Sequence, residues 1–161
     1  MQKSLLKDDS EWMEKALELA QRAFSLGEVP VGALIVKNGV AIAESYNDRE
    51  TSFCALGHAE IRAIAHASKQ IGAWRLSGCS LYVTLEPCLM CAGAIVQSRI
   101  DRVIIGARDL KAGAVESLYQ VFADHRLNHR PSYTLGVKES ESQQLIQRFF
   151  RELRKRGKTE I

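Results

Sequence analysis

Apolar positions near the start of the chain recur at three- and four-residue steps: Trp12, Met13, Ala16, Leu17, Ala20, Ala23 and Phe24. That period predicts an amphipathic helix, capped by Asp9 or Ser10 and ended by Gly27. The period then shortens. Leu34-Ile35-Val36-Lys37 and Val40-Ala41-Ile42-Ala43 flank Asn38-Gly39, a type I′ turn signal, so a β-hairpin is expected. A loop from 47 to 57 leads into a second helix that starts at His58 and runs to about Ile71. Leu81–Thr84 reads as a short buried strand, and Glu86-Pro87 as the opening of a third helix, since proline suits a first turn. Arg102–Gly106 reads as a further strand, followed by a Gly- and Ala-rich loop over 111–114. A long final helix is expected from near Ser140, where Ser140 and Gln143 have capping-box spacing. Strands alternating with helices behind an opening hairpin predict an α/β sandwich with a mixed sheet.

A chain of 161 residues can bury a core without disulfide support, so one domain over 1–161 is expected. Hydrophobic residues at 46% and charged residues at 25% exclude a disordered chain. Residues 1–9 lack the apolar core of a signal peptide, and the longest apolar stretches are too short to span a bilayer. A cytoplasmic protein is the expectation. In that reducing setting Cys54, Cys79, Cys88 and Cys91 should stay unpaired, and a Cys-x-x-Cys points to metal or redox chemistry. The net charge of +3 argues nothing by itself, but its distribution is uneven. Arg148, Arg151, Arg154, Lys155, Arg156 and Lys158 face only Glu152 near the C-terminus. This cationic run is either a solvated helix end, favoured by the helix dipole, or a stripe that contacts phosphates.

The chemistry concentrates in His58-Ala59-Glu60 and Pro87-Cys88-Leu89-Met90-Cys91. One imidazole and two thiolates suit a tetrahedral Zn²⁺ with a corner left for water, and a nearby carboxylate can move that water's proton. Residues two apart in a helix interior point away from each other, so His58 and Glu60 can share a site only beyond the helix's N-terminal end. Cys88 and Cys91, three apart, share a face in a first turn. Two helix N-termini are therefore expected to point at one metal, with free N–H groups and positive dipole ends that favour thiolate. A lone Cys-x-x-Cys is equally half of a structural zinc site or a redox pair, and a lone His-x-Glu signals little. Together, with no second Cys/His pair to complete a knuckle, they favour catalysis. Cys54 could close the site as a fourth ligand and is expected to be a bystander. Cys79 reads as a small buried hydrophobe, His66 as a packing or surface residue, and His125 and His129 as solvated.

These two motifs resemble those of the zinc-dependent nucleoside and nucleobase deaminases. The similarity extends through Glu28–Ala33, Tyr46-Asn47, Leu81–Ile95, Gly106–Asp109 with Lys111, Gly113 and Ala114, Asn128-His129 and Phe149–Arg151. Over nearly its whole length the chain is similar to the bacterial tRNA-specific adenosine deaminases. The resemblance implies a three-layer α/β/α sandwich around a five-stranded mixed sheet, a homodimer, and one Zn²⁺ per subunit on His58, Cys88 and Cys91. It implies hydrolytic deamination of adenosine to inosine at the wobble position of a tRNA anticodon, with an arginine tRNA bearing ACG as substrate and Glu60 as proton shuttle. It places Asn47 against the flipped nucleotide and Val29, Pro30, Val31 and Ala59 around the base, with Glu86 among the substrate contacts. Asp109 and the helix carrying Phe149, Arg151 and Arg154 are expected to meet neighbouring nucleotides. Consecutive phenylalanines cannot face one way, so Phe149 or Phe150 should be core. Where the family carries Asp-Pro-Thr/Ser-Ala before the histidine, this chain has Cys54-Ala55-Leu56-Gly57. Two rivals remain at this level: a deaminase of free cytidine, cytosine or guanine, and a non-catalytic zinc-stabilised RNA-binding module. The cationic helix disfavours the first, and Glu60 the second.

Overall fold

The computed structural model describes residues 7–157. The N-terminal segment 1–6 and Lys158 of the cationic run lie outside them. Helix α1 (Asp9–Ser25) is capped one residue earlier than expected: Asp8 accepts from the Glu11 N–H while the Glu11 side chain accepts from the Asp8 N–H, a capping box. Its buried stripe is Trp12, Met13, Ala16, Leu19, Ala20 and Ala23, so Leu19 takes the inward place that the periodicity gave to Leu17. Strands β1 (Gly32–Lys37) and β2 (Val40–Tyr46) form the expected hairpin. Asn38 and Gly39 both have positive φ, 50° and 74°, as a type I′ turn requires. Helix α2 (Ala59–Ile71), strand β3 (Cys79–Leu85), helix α3 (Leu89–Gln97) and strand β4 (Arg102–Ala107) follow. Strand β5 (Ser132–Leu135) and helix α4 (Glu139–Gly157) end the fold.

The sheet order is β2-β1-β3-β4-β5, antiparallel through β2-β1-β3 and parallel through β3-β4-β5. Alternation along β1 feeds two cores. Ala33 and Ile35 pack with Leu81, Val83, Val103 and Ile105 under Ala63 and Ala67 of α2 and Ala92 and Ile95 of α3. Leu34 and Val36 pack with Tyr82 and Ile104 under α1, and α4 joins α1 through Phe24 and Phe149, whose rings meet edge to face at 5.6 Å. The result is an α/β/α sandwich with a five-stranded mixed sheet. Helix α1 lies so close to β1 that a Cβ on Gly32 would meet the Ala16 carbonyl oxygen at 2.0 Å; only glycine permits the approach. The topology brings the ends of β2, β3 and β4, the start of β1 and the N-termini of α2 and α3 to one edge. No helix of the described residues is long and apolar enough to cross a membrane.

Candidate active site

His58 is the N-cap of α2 and Cys88 the N-cap of α3, and neither makes a side-chain capping bond. Their side chains are therefore free to point past the helix ends. Helix α3 starts at Leu89, two residues after Pro87, so the proline precedes the cap instead of sitting in the first turn. Cys91, one turn in, is fully buried. Nδ1 of His58 lies 3.6 Å from Sγ of Cys88 and 3.5 Å from Sγ of Cys91. The three ligand atoms all lie within 4.8 Å of one another, and Cys54 is not in the cluster. Glu60, in the first turn of α2, is 4% exposed and lines the same pocket as His58, Ala59 and Cys88. Val29, Val31, Asn47 and Arg49 close one side of it, and Leu85, Glu86, Asp109 and Ala112 the other.

The family model of the MafB19-like deaminases matches residues 7–154. A tRNA-specific adenosine deaminase of Bacillus subtilis is 45% identical over 153 residues, covering 95% of each chain. One from Streptococcus pyogenes serotype M1 is 43% identical, covering 95% of this chain and 90% of its own. A solved structure from work on A-to-I editing by tRNA:A34 deaminases at the wobble position superposes with a TM-score of 0.82 at 44% identity, over 84% of this chain and 99% of its own. The chain belongs to the tRNA-specific adenosine deaminase family. In this deaminase the cluster sits in one buried corner where two helices begin.

Charge within that corner is unevenly held. The Cys88 thiol is drawn down to about 4, foremost by its hydrogen bond with Cys91 and then, against the opposing pull of burial, by His58. Cys91 is pushed far up by the neighbouring Cys88 sulfur and by burial. Burial pushes the Glu60 carboxyl up to about 7, and the Cys88 hydrogen bond raises His58. Two thiolates and a carboxylate in one buried corner suppress each other's ionisation, and a cation between them relieves that repulsion. The donor set can thus hold a metal ion.

Of the substrate contacts expected from the sequence, Val29, Val31, Asn47, Ala59, Glu86 and Asp109 line the pocket of this deaminase. Pro30 is buried and does not. Asn47 is itself tied down: its amide donates to the Val29 carbonyl at 3.1 Å and its N–H to that of Val31 at 3.0 Å. Arg151 and Arg154 line an adjoining groove with Arg108, Lys111, Leu110, Ile146 and Phe150. The groove shares Val29, Leu85 and Asp109 with the pocket. Phe149 stands apart from both, because its ring is buried between Phe24 and Phe150; the phenylalanine on the groove is Phe150. Arg148, expected in the cationic run, is turned onto Phe24 and pairs with Glu152. Arg49 and Ala112 are pocket residues that no motif marks, and Leu85, within the Leu81–Ile95 segment, joins them there. His129 is not solvated but bonded through Nε2 to the Ile100 carbonyl at 2.6 Å, and His66 bonds Ser45.

Proposed function

We propose that this deaminase converts adenosine to inosine at the wobble position of a tRNA anticodon, with an arginine tRNA bearing ACG as the expected substrate. The observation that carries the chemistry is the spacing of the ligand atoms. Tetrahedral zinc with bonds of about 2.3 Å to sulfur and about 2.1 Å to nitrogen holds such ligands about 3.6 Å apart; the two imidazole–sulfur separations are 3.6 and 3.5 Å. His58, Cys88 and Cys91 would therefore hold Zn²⁺, one per subunit. When bound, zinc supplies the polarisation that makes water nucleophilic near neutral pH.

The remaining work falls to the chain's own side chains. Glu60 takes one proton from the attacking water and delivers it to N1 of the purine, then takes the second from the hydroxyl now on C6 and delivers it to the departing amine. Carbon C6 gains an oxygen, the C6–N6 bond breaks, and ammonia leaves. Val29, Val31 and Ala59 exclude water around the base, and Asn47, held by its bonds to the 29–31 backbone, presents its remaining polar atoms to the nucleotide. The groove past Asp109 supports the RNA reading: Arg108, Lys111, Arg151 and Arg154 offer phosphate contacts beside the apolar faces of Phe150 and Leu110. An anticodon loop is already single-stranded, so turning one base into the pocket costs little. Exposed Leu89, Leu118 and Tyr119, close in sequence to site residues, are what a second copy would cover in a homodimer. A cytoplasmic setting, where tRNA resides and thiols stay reduced, fits this reading.

Glu60→Gln is the direct test. It should keep stoichiometric zinc and lower kcat on an ACG anticodon stem-loop by about a hundredfold to ten-thousandfold. Undiminished inosine formation by that variant would remove Glu60 from the mechanism.

A further inference from the structure

Among the described residues three glutamates are buried: Glu60, Glu28 and Glu86, the latter two at 1% and 2% exposure. Glu60 and Glu86 line the pocket, and Glu86 and Glu28 reach the loops that bound it. We propose that Glu28 and Glu86 are positioning residues that hold the 47–57 and 108–117 loops in the substrate-accepting conformation. The inference rests on the RNA reading above only for its choice of substrate.

Glu86 has nothing left to offer a substrate. Its Oε1 accepts from the N–H groups of Glu116 at 2.7 Å and Ser117 at 3.0 Å. Its Oε2 accepts from the Asp109 N–H at 3.0 Å and from the Ser117 hydroxyl. Those four bonds fill the four acceptor positions of a carboxylate. Burial would raise its carboxyl, but the Ser117 hydroxyl and the three N–H groups outweigh burial and hold it below the ordinary range. The loop is drawn so tightly onto Glu86 that a Cβ on Gly113 would stand 1.9 Å from Oε2. The same loop bridges to Cys88 through Gly113, and the Ala114 N–H donates to the Pro87 carbonyl at 2.8 Å. Asp109 and Ala112, its contributions to the pocket, are therefore set by Glu86.

Glu28 acts alike on the opposite side. Its Oε1 accepts from the Thr51 N–H and hydroxyl, both at 2.6 Å, and its Oε2 from the Glu50 N–H at 3.2 Å. That loop carries Asn47 and Arg49 into the pocket and delivers His58. Buried carboxylates are costly unless fully hydrogen-bonded, and charge-assisted bonds to N–H groups fix a loop more firmly than neutral acceptors do.

Glutamine keeps the shape of each side chain but replaces one acceptor oxygen by an amide that faces N–H donors. Hydrogen exchange on the zinc-loaded full chain, together with steady-state kinetics on the anticodon stem-loop, tests the proposal. Glu86→Gln should speed exchange at 109–117 and leave 48–52 unchanged; Glu28→Gln should do the reverse. With zinc content and Tm close to wild type, kcat/KM should fall by about tenfold to a hundredfold. Where a glutamine variant does not fold, Ser117→Ala and Thr51→Ala remove one bond from each carboxylate and should shift exchange in the same loop-specific way, by less. Exchange that is unchanged, or that rises across the whole chain, overturns the proposal, as does full activity with a loosened loop. If the wild type leaves the RNA unchanged, the substrate reading fails, and the exchange pattern alone decides the role of the two glutamates.

Discussion

A thiol drawn down to about 4 beside one pushed far up is how a buried Cys-x-x-Cys behaves when its two sulfurs must share charge. A cation lets both ionise. Cys88→Ser should therefore leave the purified protein with well under one zinc per chain and little activity, as metal analysis alongside the deamination assay would record. Cys54→Ala should change neither, since Cys54 lies outside the cluster; zinc lost from that variant would make Cys54 a ligand. His58, Glu60, Cys88 and Cys91 were legible in the sequence because their spacings make one site only if both motifs begin helices. Arg49 and Ala112 were not, because loop closure brings them in and no pattern records it. Glu86 reads as a substrate contact from its place beside Pro87-Cys88. Only the structure reveals that its lone pairs are already taken.

A few specific joints tie the elements to one another. Asp9, in the first turn of α1, makes a two-pronged bond to the Arg102 guanidinium of β4 and accepts from the Tyr82 hydroxyl of β3. The Arg102 bond, foremost, holds its carboxyl below the ordinary 3.8. The unfolded chain therefore takes up this proton more readily than the folded one. The contribution to stability is complete above about pH 4 and is lost as pH falls through the lowered folded value. With both side chains about a third exposed, it amounts to about 0.5–1 kcal/mol. Asp9→Asn should be less stable by that amount near neutral pH and should lose less stability than wild type on acidification, in urea titrations at pH 7 and pH 3. Helix α1 was legible because it buries residues at a period of 3.6, and the hairpin because Asn38-Gly39 parts two apolar runs, although β1 is buried on both faces. Strand β5 was not: Ser132, Tyr133 and Thr134 are exposed and Leu135 is half-buried, so the edge strand has no alternation to read. Helix α4 starts at Glu139, one residue before the expected capping box, where Lys138 takes a positive φ of 53°.

At the scale of the molecule, a parallel half-sheet and an antiparallel one meet at β3, and the reactive groups gather where that strand ends. The family and the five-stranded sandwich were legible because motif residues recur along most of the chain. The groove was legible only as a run of cations, since sequence does not tell which of them turn inward: Arg151 and Arg154 border it while Arg148 lies on Phe24. If Arg151 and Arg154 meet phosphates, each alanine substitution should weaken stem-loop binding and reduce the slope of log K against log salt by about 0.7–0.9, read by fluorescence anisotropy across a salt series. An unchanged slope would send the RNA elsewhere on the surface. One comparison is decisive: the zinc-loaded protein offered an arginine tRNA with an ACG anticodon and, in parallel, free adenosine, cytidine and guanine. Inosine at the wobble position, with no ammonia from the free compounds, is the predicted result; an unchanged tRNA beside ammonia released from a free base or nucleoside would contradict it.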